Sequence, residues 1–246
     1  MKIINKVRDC IEHGIDVFTM AIFLLLFLVG LYALVDVQKV NASADVDAEV
    51  AELAPSKDDS EIDIAALREI NPEIVGWIRI DGTNINYPVV QSTDNTKYLN
   101  KDYRGEYATA GAVFVDYRNN KFLDDFTIIY AHRMNGGLMF GEVAKFSEAN
   151  FFRTHETGAL YTEDTVYDLE ISDFAVLNID TTKLYAHDMN KNGQNVSVVS
   201  EIRDSAKQSR KVDIGDTDQI LLLSTCDKDS KHYRDVLLVK MNKREK

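Results

Sequence analysis

The stretch "QILLLSTCDKDSKHYRDVLLVKM", residues 219–241, sets two apolar runs about a polar loop. Gln219–Thr225 and Asp235–Met241 are short and rich in Leu, Ile and Val, the composition of buried strands. Paired as a hairpin, they bring Cys226 and Arg234 to one end of a sheet, with seven residues between the two in sequence. A permanent cation beside a thiol stabilises a thiolate or a developing oxyanion. This end of the sheet is therefore the first place to look for chemistry.

Working outward, further strand-like runs are "GWIRI" (76–80), "INYPVV" (85–90), "GAVFVDY" (111–117), "FTIIYAH" (126–132) and "VYDLEISDFAVLN" (166–178), punctuated by turn formers such as "DGTN" and "RNN". Helical patterns are fewer. "EIDIAALREINP" (61–72) has Asp63 as a cap, Ile64, Leu67 and Ile70 on one face and Pro72 as a stop. "LMFGEVAKF" (138–146) and "VVSEIRDSAKQS" (198–209) complete the set. The pattern predicts a mostly β domain, a closed barrel with added helices, and contains no internal repeat.

Ahead of the domain, Val17–Val35 ("VFTMAIFLLLFLVGLYALV") holds 19 residues without a charge. At about 1.5 Å per residue it reaches roughly 28 Å, close to one bilayer core, and reads as a transmembrane signal-anchor helix. Lys2, Lys6 and Arg8 precede it and only Lys39 follows within a comparable distance. That bias places residues 1–16 in the cytoplasm and the remaining chain on the extracytoplasmic side. The competing reading is a signal peptide cleaved near "NASA" (41–44), which the length of the apolar run disfavours. Residues 36–60, rich in Asp, Glu, Ala and Ser, read as a solvated linker, and the domain as 61–246.

The chain has 28 Lys and Arg against 40 Asp and Glu, a net charge of -12, which argues against a nucleic-acid partner. Of its two cysteines, Cys10 and Cys226 fall on opposite sides of the anchor, so a disulfide is not expected and Cys226 is a lone exported thiol.

Such a thiol reacts only with a base or cation in reach. His13 lies before the anchor, and His155 and His187 sit in polar stretches that read as surface. His132 ends an apolar strand ahead of a Gly-Gly turn, where a rigid scaffold delivers a side chain to a loop rim. His232, six residues after Cys226, remains a second candidate base. Cys226 and His232 supply two ligands with no second cluster, too few for zinc, and "DKDSK" lacks the glycine and distal glutamate of a calcium loop. No metal or cofactor is expected. A tyrosine-phosphatase loop is disfavoured because residues 227–233 contain no glycine.

Five longer segments together carry a resemblance: "INPEIVGWIRIDGTNINYPVVQ" (70–91), "GEYATAGAVFVDYRN" (105–119), "TIIYAHRMNGGLMFGEV" (127–143), "FFRTHETGALYT" (151–162) and "LLLSTC" (221–226), followed by Arg234. In order, spacing and chemistry they resemble the class B sortases, membrane-anchored cysteine transpeptidases of Gram-positive bacteria. The resemblance implies a sortase-type barrel of about eight strands. It also implies Cys226 as nucleophile, His132 as acid/base partner and Arg234 as the oxyanion-stabilising cation, with Ser224, Thr225 and Asp227 holding the substrate.

Leu222 stands where the family usually has the first Thr of Thr-Leu-x-Thr-Cys, and Ala131 where it often has Gly; neither change removes a reactive group. Expected partners are surface proteins bearing a sorting motif and a peptidoglycan-precursor amine as acceptor. A tethered cysteine peptidase acting by hydrolysis, and a non-catalytic peptide-binding β-domain, are the alternative readings.

Overall fold

The computed structural model describes residues 2–56, 61–186, 193–226 and 232–244, with Cys226 described through its backbone alone. His187 and Asp227 lie outside the described residues. The chain divides into two compact units, Met1–Ala42 and Ser43–Lys246.

The first unit is one helix, α1 (Lys2–Ala42). Its part Ile11–Ala42 is long and apolar enough to cross a membrane, and Phe18, Leu24, Phe27 and Leu31 stand exposed along it. The anchor reading of 17–35 falls inside this helix.

The second unit begins with a strap that composition assigned to the linker. Residues 43–56 carry a single helical turn, α2 (Ala48–Ala51), and bury Ala44 and Val50. Asp47 accepts hydrogen bonds from the Tyr103 hydroxyl at 2.8 Å and from Arg104 at 2.7 Å. Three apolar side chains in an acidic run set up no periodicity, yet Val50, with Leu53 beside it, completes a cluster with α3 (Ile64–Ile70). The Asp63 cap forms as expected, its carboxylate accepting from Ala66 N at 2.9 Å.

Nine strands follow among the described residues: β1 (Ile74–Ile80), β2 (Asn86–Gln91), β3 (Val113–Val115), β4 (Phe126–Tyr130), β5 (Thr157–Thr162), β6 (Val166–Asn178), β7 (Ala206–Ser209), β8 (Gln219–Cys226) and β9 (Tyr233–Lys243). Their order is β5-β1-β2-β3-β4-β8-β9-β6-β7, and a β5–β6 pairing closes the first eight into a barrel. β7 extends it as a ninth strand along β6. Most pairs are antiparallel; β2–β3 and β4–β8 are parallel.

Period-2 alternation sorts the apolar side chains into three clusters. Leu221, Leu223, Ile129, Leu237 and Val239 point into the barrel. Ile220, Leu222, Ile128 and Leu238 point out and are covered by Val198, Val199 and Ile202 of α5 (Asn195–Asp204). Ile74, Val90, Phe114 and Tyr161 point out elsewhere, beneath α3 and the strap.

Two helical expectations are corrected. The 138–146 pattern forms a 3-10 turn at Val143–Ser147 instead of one helix, because Met139 (φ 52) takes left-handed backbone that an α-helix excludes; a second 3-10 turn, Asn135–Gly137, precedes it. The short helix α4 (Ala149–Thr154) comes after them. The 198–209 pattern is helical only to Asp204; Ala206–Ser209 is β7, whose pairing with Asp173–Ala175 overrides a weak local helix preference.

Candidate active site

β8 and β9 pair as the expected hairpin, and their register sets Cys226 directly across from Arg234 and Thr225 across from Asp235. β4 lies parallel to β8 on its other side, with Tyr130 opposite Ser224. One residue past that pairing, Ala131 N donates to Ser224 O at 3.3 Å. Two parallel strands end on the same side of a sheet, so His132 emerges beside the end of β8 although it is 94 positions earlier in the chain.

A cavity of about 170 Å³ opens there. Its walls are His132, Ala131 and Tyr130 from the end of β4, Ser224 and Thr225 from β8, and Arg234 from β9. Asn95, Leu99 and Phe114 close the remaining side. Two of the three residues singled out for substrate holding thus line it, while Asp227 lies outside the described residues. His232 is not on this wall. It points to Asp180, its Nδ1 2.8 Å from the carboxylate, and Ile179 N donates to its backbone carbonyl. His155, read as a surface residue, is half-buried and stacked on Phe151 with ring centroids 3.8 Å apart. His13 belongs to α1.

His132 Nε2 lies 2.7 Å from the carbonyl oxygen of Leu99. The next residue, Arg133, forms a 2.8 Å ion pair with the buried carboxylate of Asp235, the neighbour of Arg234. The ends carrying His132 and Arg234 are therefore pinned together by the residues that follow each of them. This clamp was missed because a lone Arg and a lone Asp 102 positions apart leave no mark in a single sequence.

Behind the cavity lies a polar wall. Tyr185 and Ser224 share a 2.8 Å hydroxyl contact, and the Tyr130 hydroxyl donates to Asp116 at 2.9 Å. Asp116 also accepts two bonds from the Arg118 guanidinium, at 2.9 and 2.7 Å, and Arg118 donates onward to the Tyr185 carbonyl. Burial alone would raise the Asp116 pKa; the bonds from Arg118 and Tyr130 outweigh it and hold the carboxyl below the usual range. Burial, followed by the Asp116 charge, pushes the Tyr130 phenol upward, so it is a neutral donor. The Thr225 hydroxyl is buried and makes no hydrogen bond, a state that calls for a partner.

Residues 78–243 match the family model described as the sortase domain. Sortase B of Listeria monocytogenes is 34% identical over 175 residues, covering 70% of each chain. The chain belongs to the class B sortases. Among solved structures, a Bacillus anthracis protein described as similar to sortase B superposes with a TM-score of 0.67 at 36% identity, over 78% of this chain and 88% of that one. A Staphylococcus aureus sortase B-substrate complex gives 0.67 at 30% identity, over 74% and 85%. As a sortase, the chain is a cysteine transpeptidase of a family that works on sorting-motif substrates. In this sortase Leu222, which departs from the usual Thr, is fully buried under α5 and away from the cavity.

Proposed function

We propose that this sortase cleaves the C-terminal sorting motif of an exported protein at a threonine carbonyl and joins the product to a cell-wall amine. Cys226, as thiolate, attacks the carbonyl carbon, forming a C–S bond, while Arg234 stabilises the oxyanion. His132 gives its proton to the leaving amine as the C–N bond breaks, leaving a thioester on Cys226. The acceptor amine then attacks the thioester, a new C–N bond forms, the thiolate departs and His132 takes the amine's proton. The observation that carries this reading is the cross-strand register of Cys226 and Arg234 beside the end of the His132 strand.

Ser224 and the unsatisfied hydroxyl of Thr225 hold the peptide in the cavity, and Asp227, the residue after Cys226 in sequence, shares that role. The helix spanning 17–35 anchors the chain as a single-pass protein with residues 1–16 in the cytoplasm and the catalytic domain, 61–246, outside. Tethering near the membrane raises the effective concentration of the enzyme with its substrates.

The test is product analysis with the full chain in detergent, using peptides of Asn-Pro-x-Thr and Pro-x-Thr-Gly type with and without an amine acceptor. Ligated product expected with the amine confirms transfer; fast hydrolysis that no amine diverts means a peptidase, and no cleavage by any peptide means a binding domain.

A further inference from the structure

We infer that the backbone carbonyl of Leu99, kept in place by Gly111, is the positioning group that orients His132 and fixes which of its ring nitrogens exchanges the proton. The inference rests on the acid/base role proposed for His132. A carbonyl oxygen can only accept, so at 2.7 Å the Nε2 of His132 must be the donor. Nε2 then carries a hydrogen in both charge states of the ring, and Nδ1 is the atom that takes and returns the proton.

The carbonyl is held by the loop that carries it. Leu99 closes a 3-10 turn, Lys97–Leu99, and the chain comes back to it at Ala112, whose N–H donates to Tyr98 O at 3.0 Å. Tyr98 is itself fixed in the core, its hydroxyl donating to Glu73 at 2.5 Å and accepting from Asn71 at 2.8 Å. Between these contacts Gly111 lies against the peptide and the ring. A β-carbon on Gly111 would stand 2.6 Å from Tyr98 O, 3.0 Å from Leu99 O and 3.1 Å from Cδ2 of His132. Its φ of +64° also disfavours any side chain. The hydrogen bond and the ring's placement thus both require glycine here.

The experiment is nitrogen NMR of the full chain in detergent micelles, labelled at histidine, with the His132 signals assigned by their loss in His132→Ala. The neutral His132 ring is expected to show its proton on Nε2; a proton on Nδ1 overturns the inference without any variant. In Gly111→Ala, checked as folded by its thermal transition, the Nε2–H signal should weaken. Its kcat should fall about 100-fold, the scale of a 1 Å misplacement, with KM changed less than about threefold. Native kcat with the native tautomer in folded Gly111→Ala also overturns it. If Gly111→Ala does not fold, the wild-type spectrum decides alone. Should His132→Ala keep full turnover, the acid/base role fails, while the spectrum still reports on the carbonyl.

Discussion

Cys226 and Arg234 are direct cross-strand partners, the last pair of the β8–β9 ladder before the two strands connect. Backbone pairing fixes where Arg234 leaves the sheet; its side chain lines the cavity and donates to the Tyr233 carbonyl at 2.9 Å.

Arg234→Lys keeps the charge and loses the planar fork. A fall in kcat of about 100-fold or more is expected, the scale of losing an oxyanion donor. Steady-state kinetics with a sorting peptide measure it, and near-native turnover removes the guanidinium from the mechanism.

His132→Ala should abolish transfer, whereas His232→Ala should leave it within about threefold, because His232 is engaged with Asp180 and is absent from the cavity wall. Cys226→Ala should still bind a sorting peptide by titration while turning none over. Cleavage persisting in the Cys226 variant would exclude it as nucleophile.

The depressed Asp116 carboxyl makes stability depend on pH with a definite sign. It binds protons more weakly in the folded than in the unfolded chain. Its contribution is therefore complete above the unfolded value of about 4 and is lost as pH falls through the lower folded value. Asp116→Asn should cost about 1–3 kcal/mol at neutral pH and flatten the acid limb of a stability profile followed by circular dichroism. An unchanged acid limb would show that other carboxylates dominate it.

Much of this fold could be read from the chain because long apolar strands announce themselves. β6 matches its sequence-based bounds, β8 extends its own by one residue and β9 by two at each end. What was hidden follows from physics rather than from chance. β7, "AKQS", is polar because it packs at the rim of the barrel, and only its pairing to β6 makes it a strand. β5, "TGALYT", is too short and mixed to stand out, although it closes the barrel between β1 and β6. Within the site, Cys226 and Arg234 were neighbours by hairpin logic alone. His132 could not be preferred over His232 on local pattern, since only the parallel β4–β8 pairing separates them. The Leu99 carbonyl has no side-chain signature at all.

The strap offers a stability test of that reading. Val50→Ala removes two buried methyl groups and should cost about 2 kcal/mol, shifting Tm by roughly 4–8 °C, whereas a solvated linker would register within about 0.5 kcal/mol. Differential scanning calorimetry on the full chain separates the two.

Leu222→Thr restores the residue usual in the family but places a hydroxyl in the dry layer under α5. We expect a loss of about 1–3 kcal/mol with kcat/KM unchanged within about threefold, measured side by side; a gain in turnover would instead tie this position to the pocket.

β8 and β9 are the last of the described strands in sequence, and they occupy the middle of the sheet order, between β4 and β6. A growing polypeptide that has not yet reached residue 219 has two unpaired edges and cannot close its barrel. Closure waits for β8 to pair with β4, whose Tyr130 lies 94 positions before its partner Ser224, a long-range contact of the kind that forms slowly. Both Cys226 and the cation opposite it arrive in that same final segment. Closure of the sheet and the pairing of Cys226 with Arg234 are thus one event, and a chain that stops short of residue 219 has neither residue.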